Sequence, residues 1–254
     1  YYEAVTPSDA NSLELSVASA ALSAGGAGVF VSNAGDLNLG AVSTSAQLVG
    51  TDGQAAASNR SASGVSTAIL SLSVEGALTT DTGTTAVIDA SGNVRIETTE
   101  SAEGTATDAD ITLSAPLESD GAVSILSSDN LNLGANGYIS ITSGSGTVDI
   151  DSAGAVIMDA GSLIDTATNA NDNAVLVTAG GSIALGSIDA GTGAVAIVGS
   201  TITNAGVSGE NVTASTLFLE AEAVAGGIGT STTAMKLAVG TLAARAGTGG
   251  MYFQ

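Results

Sequence analysis

One pattern recurs along this chain and constrains its fold more than any other feature. Two apolar residues flank a third, a five-residue polar or glycine-containing stretch follows, and a second such pair comes next. Val29-Phe30-Val31 is followed by Ser32-Asn33-Ala34-Gly35-Asp36 and then Leu37-Asn38-Leu39-Gly40. Val123-Ser124-Ile125 leads in the same register to Leu131-Asn132-Leu133-Gly134, and Val175-Leu176-Val177 leads to Ile183-Ala184-Leu185-Gly186. Two copies keep the spacing without the final glycine: Ala86/Ile88 with Val94/Ile96, and Val148/Ile150 with Val156/Met158. Apolar–x–apolar places two side chains on one face of a strand. Turn residues such as Asn33-Ala34-Gly35-Asp36 fill the gaps.

A strand this short cannot bury its apolar side alone. Stacking unit on unit buries continuous rows of Val, Leu and Ile. Val123, Val148, Val175 and Val195 open equivalent strands 20 to 27 residues apart, room for three strands and their corners. The expected fold is all-β: a right-handed parallel β-helix, a three-faced β-solenoid with short corner loops, running as a single module over 1–254. Sandwiches and propellers favour longer strands, hairpin turns and aromatic anchors. Trp is absent, Asn-Gly occurs once, at Asn136-Gly137, and Asp-Gly occurs at Asp52-Gly53 and Asp120-Gly121.

Other segments fit the pattern less closely. Ala41–Val65 reads as a weak coil plus a long loop, and Glu97–Asp110, Asp165–Asn173 and Ala221–Thr233 read as insertions at corners. Thr232–Ala246 reads equally as a helix, with Met235, Val239 and Leu242 near helical spacing, or as two strands. At the C-terminus, Tyr252-Phe253-Gln254 is similar to Tyr1-Tyr2-Glu3. The expectation drawn from it is one unit of a longer tandem array. The alternative is a protease-tag remnant, whose usual Glu-Asn-Leu is replaced here by Gly249-Gly250-Met251.

Val29–Gly40, Val123–Gly134, Val175–Gly186 and Leu242-Ala243-Ala244-Arg245-Ala246-Gly247 resemble the repeats of giant filamentous-haemagglutinin-like surface proteins of bacteria. That resemblance implies a long β-helical shaft, exported and displayed on the cell surface. Its partners would be copies of itself or adjacent repeats, stacked head to tail. The family's secretion motif is not found in this sequence.

Residue types narrow the chemistry. There is no His or Cys, which removes the usual general base, zinc ligands and thiol nucleophiles. Lys and Arg number 4 against 25 Asp and Glu, for a net charge of −21. Arg60, Arg95, Lys236 and Arg245 are scattered, so neither nucleic acid nor an anionic membrane surface is an expected partner, and no apolar run reaches the length of a membrane-spanning helix. At 44% hydrophobic residues and only 11% charged, the chain does not have the composition of a disordered acidic polymer.

Four kinds of site compete with the plain role of surface and turn residues. Calcium suits carboxylates; Asp149 and Asp151 in Asp149-Ile150-Asp151 are the best-placed pair, without the third ligand or distal Glu of a complete loop. Asp108-Ala109-Asp110 and Asn171-Asp172-Asn173 are further clusters. Glycan hydrolysis would need a carboxylate pair, and the cationic and aromatic residues that hold sugars are scarce, so no enzyme and no catalytic residue is expected. Thr105-Ala106-Thr107, Thr166-Ala167-Thr168 and Thr201-Ile202-Thr203 have the form of an ice-binding face but lack a constant spacing. Adhesion to a glycan or another cell-surface ligand would use the loops Asp52–Ser63 or Asp165–Asn173. Asn59-Arg60-Ser61 and Asn211-Val212-Thr213 match the glycosylation sequon.

Overall fold

The computed structural model describes residues 12–49, 51–100, 109–167 and 174–254. Every element among them is a strand. With one exception the strands pair in parallel, and they stack into three ladders, so the chain is a parallel β-helix. The broad face carries the longer strands, among them Val29–Ala34, Leu70–Glu75, Val94–Thr99, Val123–Ser127, Val148–Ser152, Val175–Ala179 and Ala194–Gly199. A second face precedes it in each coil, with short strands such as Ile88–Ala90, Leu117–Ser119 and Ser187–Asp189. A third face follows it, with Leu37–Leu39, Ile111–Leu113, Leu131–Leu133 and Ile183–Leu185. Two long strands near the C-terminus, Val212–Ala221 and Leu237–Arg245, run through both the second and the broad face.

Apolar side chains stack in columns. On the broad face one column runs Leu13, Val31, Leu72, Ile96, Ile125, Ile150, Val177, Ile197, Leu219, Ala244. On the second face Val65, Ile88, Leu117, Ile139, Ile164, Ile188, Val212 and Leu237 stack in register. On the third face Leu37, Leu78, Ile111, Leu131, Val156, Ile183 and Ile202 do so, and isolated bridges carry the column on to Ile228 and Met251. At the ~4.8 Å inter-strand spacing the broad-face column spans roughly 45 Å. Ile96, Ile125, Ile150, Val177 and Ile197 are fully buried, each such side chain contributing about 1.5–3 kcal/mol relative to an exposed one.

Polar side chains clamp one coil to the next at the corners. Before three of the third-face and broad-face strands an Asp or Asn reaches forward to a backbone amide of the following coil. Asp36 Oδ1 accepts from Ala77 N at 2.9 Å, Asn93 Oδ1 from Ala122 N at 2.9 Å, and Asn130 Oδ1 from Ala155 N at 2.8 Å. Where the broad face ends, the inward position is a hydroxyl residue in three coils, at Thr98, Ser127 and Ser152. Ser127 Oγ donates to the Asn130 carbonyl (2.9 Å) and Ser152 Oγ to the Asp129 carbonyl (2.6 Å). Each of these carbonyls also accepts from a backbone amide, the Asn130 carbonyl from Ile111 N and the Asp129 carbonyl from Gly154 N, both at 2.9 Å, so the hydroxyl adds a second hydrogen bond, of about 0.5–1.5 kcal/mol, at a corner the ladder already holds.

Three sequence expectations change. Ala41–Val65 is not a weak coil: Ala41–Val49 and Ala55–Ser63 form an antiparallel hairpin that leaves the third face and returns to the second. Asp52-Gly53 is its turn, with Gly53 at positive φ and Asp52 Oδ1 accepting from Gln54 N. Gly64 then re-enters the helix at φ +65, where a Cβ would run into the Val87 carbonyl. In the Ala86/Ile88 copy the buried pair is Ile88 and Ala90, because Ile88 is in register with Val65 and Leu117. The 221–233 stretch is not wholly an insertion, since Ile228 occupies a fully buried third-face position. Of the two readings of Thr232–Ala246, the strand is the one adopted, Leu237–Arg245.

Candidate functional sites on the coil surface

Inward columns are fixed by packing, so any site must be built from outward positions, corners and the hairpin. Asp149 and Asp151 point outward from Val148–Ser152, exposed on either side of the buried Ile150. Their neighbours on adjacent coils are Ser124 and Leu176 for Asp149, and Leu126 and Thr178 for Asp151. The structure therefore brings the two carboxylates to one face but adds no acidic neighbour above or below. Among the described residues no group of three or more acidic side chains is placed to hold a metal ion. Asp108 and the 171–173 cluster lie outside the described residues, as do Thr105-Ala106-Thr107 and Thr168. Asp110 has a coil-bridging role, accepting from Asn130 N and Nδ2 at 2.9 and 3.0 Å.

Two depressions on the coil surface each hold a single carboxylate. At the hairpin root, Gly40, Ala41, Ser63, Gly64, Asp81 and Val87 line a depression. Asp81 Oδ1 accepts from Asn38 Nδ2 (2.9 Å) and Oδ2 from Ala41 N (2.8 Å). The Asn38 hydrogen bond, and then that of Ala41, hold its pKa below the ordinary value of 3.8. Asp81 is thus an ionised anchor for the outgoing hairpin strand. A second depression, lined by Gly25, Gly26, Ser66, Thr67, Asp89 and Ser91, contains Asp89 as its one acid. Asp120 is likewise held ionised, by hydroxyls of Ser143 and Thr142.

Each cation outside the hairpin has a structural partner. Arg95 pairs with Glu97 at 2.7 Å along the same strand, and Arg245 with Glu220 at 3.1 Å across adjacent coils. Lys236 Nζ donates to the Val207 carbonyl (2.9 Å) and the Ser208 carbonyl (3.2 Å), tying a corner down. Arg60 sits exposed on the hairpin. No two of the four are neighbours in the ladder.

The two sequons separate in the structure. Asn59 is exposed on the hairpin. Asn211 is fully buried at the corner before Val212–Ala221. Its Nδ2 donates to the Leu185 carbonyl (2.9 Å), the Gly186 carbonyl (3.1 Å) and Asn204 Oδ1 (3.2 Å), while its Oδ1 accepts from Lys236 N (3.0 Å). The amide that a glycan would need is spent on three coils, so Asn211 is a structural residue in the folded chain. Thr201 and Thr203 flank the buried Ile202, and their counterparts one coil back are not a Thr pair: Thr203 is in register with Ala184. No threonine array forms there.

The outward surface of the broad face is the feature that residue-by-residue reading missed. From Val175–Ala179 onward its outward positions are Leu176, Thr178, Ala196, Val198 and Phe218, with Leu176 41% and Phe218 38% exposed. Alternation hid them, because the strands carrying them are apolar on both faces and only the register says which residues share a column. Comparison of the chain with family models, with curated proteins and with solved structures finds no match to any of them.

Proposed function

We propose that the chain is a structural module of an extracellular or cell-surface fibre, a stiff β-helical rod that stacks end to end with neighbouring units and acts mechanically, without catalysis. The setting it resembles is that of filamentous-haemagglutinin-like bacterial surface proteins. One observation carries the reading: the apolar columns keep their register through the coil formed by Leu237–Arg245 and Met251, so a further coil can be laid on the same pattern. Leu242, Met251 and Phe253 stand in or beside the apolar columns yet remain about 40–50% exposed. A further coil laid on them, from adjoining chain or from another copy, would bury them as Leu217 and Ile228 are buried one coil earlier. The acidic surface keeps such rods soluble and laterally repelling over most of their area.

Small-angle X-ray scattering over a concentration series tests the stacking. The expected result is particles whose length grows in multiples of one rod as the concentration rises, with Leu242→Asp holding them to the length of one rod. Single rods at every concentration would overturn the end-to-end reading.

The hairpin favours a second reading, an adhesive module. Ala55–Ser63 is exposed along almost its whole length and covers no core, so it serves no packing role in the coil. Removing residues 44–60 would then abolish binding to a glycan or cell surface while leaving the melting temperature unchanged. Unchanged binding would dismiss it.

A further inference from the structure

The outward side of the broad face changes character along the rod. Two outward columns run down it. One passes from Asp149 through Leu176, Ala196 and Phe218 to Ala243, the other from Asp151 through Thr178, Val198 and Glu220 to Arg245. Between the carboxylates at one end and the Glu220–Arg245 pair at the other lies a strip of five uncharged residues, in a chain of net charge −21. Single exposed apolar side chains are ordinary, but a contiguous patch marks an interaction surface. A flat sheet face of this kind packs well on another sheet face, about 10 Å away with strands nearly aligned.

We propose that this strip is a lateral docking face for a second copy of the chain, the two rods packing broad face to broad face with their axes opposed. Charge selects both the partner and the register. A two-fold axis along the strand Ala194–Gly199 keeps each column facing itself and reverses the order of coils. Val198 then meets the partner's Val198, Leu176 meets the partner's Phe218, and Asp151 meets the partner's Arg245. Arg245 has an exposed side chain (78%) that already leans on Glu220, so it would bridge two carboxylates, one from each copy. Shifting the axis by half a coil sets Asp151 against the partner's Glu220. Aligning the rods in the same direction sets Asp149 against the partner's Asp151. Both alternatives bring like charges together in a partly dry interface, which is costly. The contact is isologous and closes on itself.

Sedimentation equilibrium in about 0.15 M salt, where screening limits the repulsion between the acidic rods, with scattering to read the cross-section, tests this. In the Leu242→Asp background, where ends do not stack, the expected species is a dimer one rod long with doubled cross-section. Leu176→Glu with Phe218→Glu should be monomeric, with an unchanged far-UV circular dichroism spectrum. Phe218→Thr, a residue at home on a strand, should weaken the dimer at least about tenfold and serves where the double variant fails to fold. Arg245→Asp should weaken association and Arg245→Asp with Asp151→Arg should restore it. A chain that stays monomeric, a dimer that survives loss of Leu176 and Phe218, or a charge swap that does not restore association would each overturn the proposal. Length growth abolished by Leu242→Asp reports end-to-end stacking and leaves the cross-section result separate.

Discussion

Replacing Asn211 by alanine should destabilise the rod more than any other single polar substitution at its corners. The side chain is fully buried and makes four hydrogen bonds. The Leu185 carbonyl keeps a partner when it is removed, because Ala205 N donates to it at 3.0 Å. Lys236 N loses the side-chain acceptor it uses, and the Gly186 carbonyl loses the amide donor. Orphaning the buried Gly186 carbonyl and the part-buried Lys236 amide, at about 1–3 kcal/mol each, gives an expected loss of about 2–6 kcal/mol. Denaturant unfolding followed by circular dichroism measures the loss, and amide hydrogen exchange at Lys236 should accelerate by about thirtyfold or more. Asn211→Asp sharpens the test, since it keeps the acceptor for Lys236 but turns the donor toward two carbonyls into a charge. Burial and those carbonyls raise its folded-state pKa. The variant should be near native stability below about pH 3.9, where the unfolded carboxyl is protonated, and should lose stability as the pH rises toward the raised value. An Asn211→Ala loss under about 0.5 kcal/mol, the size of an ordinary surface change, would refute the reasoning.

Three further outcomes follow from the same structure. Ile150→Ala removes a fully buried side chain between Ile125 and Val177 and should cost about 2–5 kcal/mol in denaturant unfolding. Asp81, whose folded pKa lies below 3.8, lends the hairpin root stability that is present above that ordinary value and fades as the pH falls through the lower one; the Ala41 amide resonance should titrate with it, and Asp81→Ala should speed proteolysis within 41–63. Calcium should leave the thermal midpoint unchanged. A rise that disappears in Asp149→Asn with Asp151→Asn would instead make that pair a metal site.

Much of this fold is legible in the sequence because its inward columns demand little more than Val, Leu or Ile at alternate positions. Val123/Ile125, Val148/Ile150 and Val175/Val177 announce themselves that way, and the parallel stacking follows from their even spacing. The hairpin was not legible because small and polar residues, Ala and Ser above all, make up most of both strands and its described side chains cover no core, so alternation gives little to read; Asp52-Gly53 was its one signal. Ile228 was hidden among glycines and alanines, since a lone bridge needs only one apolar residue. Asp149 and Asp151 were correctly placed on one surface by their spacing, but the sequence does not say what lies on the coils above and below. Asn211 matched a modification motif, and only the three-coil geometry around it shows an amide committed to the backbone. The outward strip depends on register between residues 20 to 25 positions apart, which alternation within a strand does not specify.

The hairpin also separates the length of the chain from the length of the rod. Leu22 lies under Val65 and Leu37 under Leu78 in unbroken register, although the chain between Gly40 and Gly64 has left the coil and come back. Gly64 N donates to the Gly40 carbonyl at 3.0 Å, closing the gap as though nothing had been inserted. Closing a loop of this size costs little more than closing a short one. Residues can accumulate at such a corner without adding height, so the height of the β-helix is set by its number of coils and not by its number of residues, while the corners are free to vary in length and composition.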